Sequence, residues 1–144
     1  RPGVRLPLAP SRWRCVENPR ADEGMASSLR AGVAASSECA YYVLALGDMP
    51  CVGPRVVSAL VAAFRAGAAD AVVPVHDGRR GHPVLLSAAW RADLVALGGD
   101  RGARDLLQAR WDRVLDLPVD DPGILVDVDR PEDLAGGTGR HHRG

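Results

Sequence analysis

The sequence predicts an α/β fold, a mostly parallel sheet with helices on its faces and one antiparallel element. Three observations carry that expectation. The apolar runs at 41–46 (YYVLAL) and 71–75 (AVVPV) show no alternation, as strands covered on both faces do. Between them, Val56, Val57, Leu60, Val61 and Phe64 recur on one face of a helix. The polar, glycine-bounded turn His76-Asp77-Gly78-Arg79-Arg80-Gly81 then joins 71–75 to a further apolar run at 83–87 (PVLLS), as a hairpin would.

In chain order, residues 1–12 are rich in Pro and Arg without a period and read as a loop. Trp13 to Glu17 is a short strand candidate, closed by the Asn18-Pro19 turn signal. Residues 26–35 (ASSLRAGVAA) read as a helix starting near Gly24 or Ser27. Gly47-Asp48-Met49-Pro50 ends the strand at 41–46, and Pro54 suits the first position of the next helix, which Gly67 stops. Helices follow at about 88–97 and 101–111, then strand candidates at 113–119 (RVLDLPV) and 124–128 (ILVDV). Asp129 and Glu132 have capping-box spacing, so a last helix is expected from Arg130. The segment from Gly136, with His141 and His142, reads as a disordered tail, leaving one domain over residues 1–135.

Composition excludes several function classes. Hydrophobic residues at 47% and charged residues at 25% describe an ordinary globular protein, excluding a disordered, collagen-like or coiled-coil chain. Eighteen basic residues balance eighteen acidic ones, so no net positive field draws in nucleic acid. Aromatics at 4% leave few platforms for stacking bases. No apolar run approaches the roughly 18 residues of a membrane span. Cys15, Cys39 and Cys51 are odd in number with no CxxC, which reads as reduced thiols in a cytoplasmic protein. All eighteen basic residues are arginine. GC-rich coding accounts for this, and chemistry that needs a lysine cannot be done by these residues.

In open α/β sheets, ligands bind at the carboxyl ends of strands. Asp48 follows the run 41–46, and Asp127 falls near the end of 124–128. Two such carboxylates can share one Mg²⁺, which takes a few carboxylates and fills its other positions with substrate phosphates and water. Each also has a plainer reading: Asp48 as a turn residue capping the next helix, Asp127 as a strand-end turn residue, and Asp129 as a cap outright. Gly24-Met25-Ala26-Ser27-Ser28 leads into a helix N-terminus, whose N–H groups and dipole suit an anion; its plainer reading is an N-cap. Gly81-His82-Pro83 lies between two strands, where His82 is either a ligand contact or a hydrogen-bonded structural residue. Arg101 and Arg104, spaced i, i+3, suit a phosphate or else form a solvated face.

In order, Asn18-Pro19, Glu23-Gly24-Met25 with Ser27-Ser28-Leu29-Arg30, Leu46-Gly47-Asp48-Met49-Pro50, Arg80-Gly81-His82-Pro83-Val84, Gly99-Asp100-Arg101-Gly102-Ala103-Arg104 and Asp127-Val128-Asp129-Arg130-Pro131-Glu132-Asp133-Leu134 form a series. The series resembles the nucleotidyltransferases of the molybdenum cofactor family, most nearly the molybdenum cofactor cytidylyltransferases, over residues 13–135. The resemblance implies a three-layer Rossmann-like nucleotidyltransferase fold. It also implies transfer of a nucleoside monophosphate from an NTP, CTP favoured, to the phosphate of a molybdopterin-type acceptor with release of pyrophosphate. Asp48 and Asp127 would be the catalytic pair holding Mg²⁺. Gly24, Met25, Ser27 and Ser28 would line the nucleotide. Gly81, His82, Pro83, Arg101 and Arg104 would meet the acceptor, and a molybdoenzyme or its chaperone would be the protein partner.

Members of that family begin with a strand and a glycine-rich loop, roughly L-A-A-G-x-S-x-R-M-G-x-x-K, that supplies backbone N–H groups and a lysine to the triphosphate. These 144 residues contain no such string, and Arg130 stands where the family has Thr. The expectation is therefore a domain lacking its first strand, inactive or nearly so by itself, with an exposed sheet edge that invites self-association. Two other readings stay open. One is a degenerate, non-catalytic domain that binds a pterin cofactor or a partner protein. The other is an NTP transferase with a different phosphorylated acceptor.

Overall fold

The structure is a computed structural model that describes residues 14–36, 38–67, 69–99 and 101–129. The chain forms α1 (Met25–Ala35), β1 (Tyr41–Leu44), α2 (Pro54–Arg65), β2 (Ala71–His76), β3 (Arg79–Arg80), β4 (Val84–Ser87), α3 (Arg91–Ala96), α4 (Ala103–Ala109) and β5 (Val114–Pro118). Short 3-10 turns lie at Ala21–Glu23, Ala88–Trp90, Trp111–Arg113 and Pro122–Leu125. The architecture is α/β with a mixed sheet, in the strand order β1-β4-β2-β3, and β5 also pairs with β2. β5 runs parallel to β2 from Ala71↔Val114 to Val75↔Pro118. β3 and β4 both run antiparallel to β2 and act as one interrupted element.

That interruption places site residues. From Val75 to Val72, β2 runs three residues, whereas its partner runs five, from Arg80 to Leu85. Two extra residues therefore bulge out at Gly81-His82-Pro83, where the His82–Pro83 peptide is cis. The Gly81 N–H still donates to the Pro74 carbonyl (2.9 Å), but the His82 N–H turns away to the Ile124 carbonyl (3.0 Å).

The described residues form two compact units. One holds residues up to Tyr42 together with Ser87–Arg113; the other holds Val43–Leu86 and the residues from Val114 on. In the first, α1 packs on α3, and the core is Ala26, Val33, Trp90, Leu94, Leu97 and Leu107. In the second, α2 lies on β2 through Val56 and Leu60, over a sheet core of Val72, Val73, Leu85 and Leu86. Pro54 opens α2, as its fixed φ favours.

Four expectations need correction. Residues 14–17 form no strand; Trp13 lies outside the described residues. Residues 41–46 are not buried on both faces: β1 is an end strand of the described sheet, and only Tyr42 is buried in it. Residues 124–128 are not a strand either. Asp121 accepts the Gly123 N–H (2.8 Å), and Pro122 fixes φ, so the chain turns into a 3-10 segment and then coil. The helix expected from about residue 88 begins as a 3-10 turn, with α3 proper from Arg91. The helix expected from Arg130 and the tail from Gly136 lie outside the described residues. Among the described residues, no helix is long and apolar enough to cross a membrane.

Candidate functional site

In the second unit, three segments converge. The first is the turn after β1. Asp48 is exposed there, and its carbonyl accepts the Val128 N–H at 2.7 Å. Asp48 does not cap the following helix: the cap is Gly53, whose own N–H donates to Asp121 Oδ2 at 2.9 Å. The second segment is the coil after Pro122–Leu125, where Asp127 is exposed beside Val128. The Val128–Asp48 hydrogen bond thus brings the two acidic positions onto neighbouring backbones, although Asp127 is no strand end.

The third segment is the bulge. Gly81 lies so close to the Ile124 carbonyl that a Cβ would collide with it. His82 is half-buried, and burial pushes its imidazole below the ordinary histidine value. A hydrogen bond to the Leu44 backbone and the nearby Asp48 charge push the other way, less strongly. Its Nδ1 is buried without a hydrogen-bond partner among the described residues. Pro83 is buried. The bulge therefore sits against both Asp-bearing segments of this unit, through Leu44 and Asp48 on one side and Ile124 on the other.

Gly24, Met25, Ser27 and Ser28 belong to the first unit, and so do Arg101 and Arg104. The residues expected to meet the acceptor are therefore divided: Gly81, His82 and Pro83 lie in one unit and the two arginines in the other. Within the first unit, the arginine segment adjoins the Gly24–Ser28 loop. The Ala26 N–H donates to the Gly99 carbonyl (3.3 Å), and a Cβ on Gly102 would come to 3.1 Å from Met25 Sδ. Arg101 and Arg104 are both exposed, and Arg101 Nε donates weakly to the Gly98 carbonyl (3.4 Å).

The open helix N-terminus expected at α1 is partly closed. The Gly99 carbonyl takes the Ala26 amide, and the Gly24 carbonyl takes that of Ser27 (3.2 Å). Gly24 serves as the cap at φ 95°, a conformation that suits glycine. Ser27 is 4% exposed, while Met25 and Ser28 are exposed.

Two residues were not singled out as site residues from the sequence. Asn18, read there as half of a turn signal, donates from Nδ2 to Ser27 Oγ (2.7 Å) and Ser28 Oγ (3.1 Å). Asp121 ties the start of α2 to the 122–125 turn; the string Asp121-Pro122-Gly123 carried that turn signal.

A family model of the MobA-like NTP transferase domain matches residues 2–114. Among solved structures, the chain is similar to the Rv0371c homologue of Mycobacterium sp. strain JC1, at 29% identity and a TM-score of 0.66, over 78% of this chain and 56% of that one. It is also similar to Rv0371c of Mycobacterium tuberculosis H37Rv in complex with manganese, at 28% identity and a TM-score of 0.63, over 76% and 57%. Molybdopterin-guanine dinucleotide biosynthesis protein A of Archaeoglobus fulgidus shares the fold, at 22% identity and a TM-score of 0.59, over 78% and 60%. No curated protein matches. The chain spans a little over half the length of the first two. With a family model covering most of its length and the same mixed α/β fold in these neighbours, the chain belongs to the MobA-like NTP transferase domain family.

Proposed function

We propose that residues 1–135 are part of a nucleotidyltransferase that moves a nucleoside monophosphate, CMP by preference, onto the phosphate of a molybdopterin-type acceptor. The single observation that supports this best is the pairing of the Asp48 and Asp127 segments through the Val128–Asp48 hydrogen bond. The acceptor phosphate is an anion at neutral pH. One of its oxygens attacks the α-phosphorus; the new P–O bond replaces the α–β bridging bond, whose electrons leave with pyrophosphate. No general base is required. The barrier is charge repulsion, so positioning and charge neutralisation are the chain's task.

Among the described residues, no three His, Cys, Asp or Glu side chains gather into a metal-holding cluster. The two carboxylates instead form a hard-oxygen donor set, which fits Mg²⁺ or Mn²⁺ shared with substrate phosphate. That the similar Rv0371c has been solved in complex with manganese supports a divalent-metal reading. Bound there, the ion supplies Lewis-acid polarisation of the phosphoryl oxygens. Gly24, Met25 and Ser28 would contact the nucleotide, with Ser27 behind them. Gly81, His82 and Pro83 would shape the acceptor side, and Arg101 or Arg104 would meet a phosphate as planar donors. A cytoplasmic setting and delivery to a molybdoenzyme or its chaperone belong to the same reading.

Binding of CTP, GTP and ATP with Mg²⁺, followed by pyrophosphate release on adding molybdopterin, tests it. CTP-preferring binding that needs the metal and is lost in Asp48→Asn supports the reading. Nucleotide binding indifferent to both overturns it. These 144 residues hold no lysine and no glycine-rich triphosphate loop, so turnover by this chain alone should be slight.

A further inference from the structure

We infer that Asn18 is a positioning residue that fixes Ser28 as a hydrogen-bond donor toward the nucleotide, a step that rests on the nucleotidyltransferase reading above. The orientation of the Asn18 amide is set by its neighbours. The Arg20 N–H can only donate, and it lies 3.1 Å from Asn18 Oδ1. Nδ2 must therefore face the two hydroxyls, at 2.7 Å from Ser27 Oγ and 3.1 Å from Ser28 Oγ. An amide nitrogen has two hydrogens and no lone pair to offer, so both serines accept from it.

The two serines then differ. Ser27 is buried, and its own hydrogen goes to the Gly24 carbonyl at 2.8 Å. Its hydroxyl is spent inside the loop. Ser28 is exposed and accepts from Asn18, and no acceptor within the described residues takes its hydrogen. With one lone pair turned inward, Ser28 offers its O–H outward. The group it fits is an acceptor atom: a base carbonyl, a ring nitrogen or a sugar oxygen of the nucleotide.

Asn18→Asp keeps the shape and the oxygen that accepts from Arg20 while replacing the two donor hydrogens with lone pairs. The Ser28 hydroxyl must then turn inward to donate to the carboxylate, and its outward donor is lost. Affinity of the 144-residue chain for CTP with Mg²⁺ is measured by amide chemical-shift titration, following Gly24–Ser28. Ser28→Ala and Asn18→Asp should each weaken binding by about fivefold to tenfold, the scale of one hydrogen bond. Losses in the double variant should fall short of the product of the two single losses, because Asn18 acts on the nucleotide in part through Ser28; a merely structural Asn18, acting through Ser27 and its charge alone, would give the full product. Ser28 is exposed, so Ser28→Ala leaves the fold intact and keeps the test open if Asn18→Asp unfolds. CTP binding unchanged in Ser28→Ala, or additive losses in the double variant, overturns the inference alone. No CTP binding by the parent chain overturns the assignment of a nucleotide site to Gly24–Ser28, and this inference with it.

Discussion

The backbone N–H of Val128 donates to the carbonyl oxygen of Asp48 at 2.7 Å, closing the coil that carries Asp127 onto the turn after β1. Two exposed carboxylates, distant in sequence, are thereby held by main chain and not by each other. Either can be neutralised without disturbing that bond. Asp48→Asn and Asp127→Asn should each reduce Mn²⁺ affinity tenfold or more, by roughly the 1.4 kcal/mol that a tenfold change represents, while thermal unfolding of the metal-free chain changes little. Paramagnetic titration with Mn²⁺ reads the affinity directly. Unchanged Mn²⁺ binding in both variants would exclude this pair as the metal site.

Gly81 makes a second relationship testable. A Cβ there would run into the carbonyl of Ile124, which already accepts the His82 N–H. Both neighbours are main chain and cannot swing aside. Gly81→Ala should therefore cost roughly 2 kcal/mol or more, at the upper end of single substitutions, and should disturb the bulge. Urea unfolding measures the cost. Gly78→Ala is the contrast, since a Cβ there meets nothing within 4 Å and only the φ of 73° opposes it.

Asp121 joins two turns by accepting from Gly53 (2.9 Å) and Gly123 (2.8 Å). Asp121→Ala leaves both N–H groups without that acceptor and should cost about 1–3 kcal/mol. Asp121→Asn keeps one acceptor oxygen and should recover part of it. A loss in neither variant, by denaturant unfolding, would mean that water replaces the carboxylate fully.

Much of the fold was legible because its elements carry local signals. The helical period of Val56, Leu60 and Phe64 after Pro54 located α2, and the unalternating run AVVPV located β2. The misreadings share a cause. ILVDV has strand composition, but Asp121-Pro122-Gly123 bends its start into a 3-10 turn, so turn chemistry outweighed β propensity. YYVLAL has the look of a central strand, yet burial depends on which strands lie beside it, and composition does not carry that. Asp48, His82 and Asp127 could be picked out by position and type. That a bulge of two extra residues sets His82 against Leu44 and Ile124 follows from register, which no single string encodes. Asn18 was legible only as a turn residue, because its role as donor to Ser27 and Ser28 depends on how the turn folds back on α1.

The His82 environment gives a pH dependence with a definite sign. Its ordinary value is 6.5, and burial, the largest cause, lowers it in the folded protein. The unfolded chain therefore binds a proton at a higher pH than the folded chain does. Stability from this residue is fully present above about pH 6.5 and is lost as pH falls through the lower folded value. The bond to the Leu44 backbone and the Asp48 charge oppose the shift without cancelling it. Carboxylates elsewhere also titrate on acidification, so the informative quantity is a difference between variants. His82→Gln cannot take up a proton, so its unfolding temperature should fall less between pH 7.5 and pH 5.5 than that of the parent chain. Asp48→Asn removes the charge that favours the imidazolium, so that variant's loss over the same interval should exceed the parent's. Parallel curves for all three proteins, by calorimetry at matched ionic strength, would mean that His82 titrates as it does in the unfolded chain.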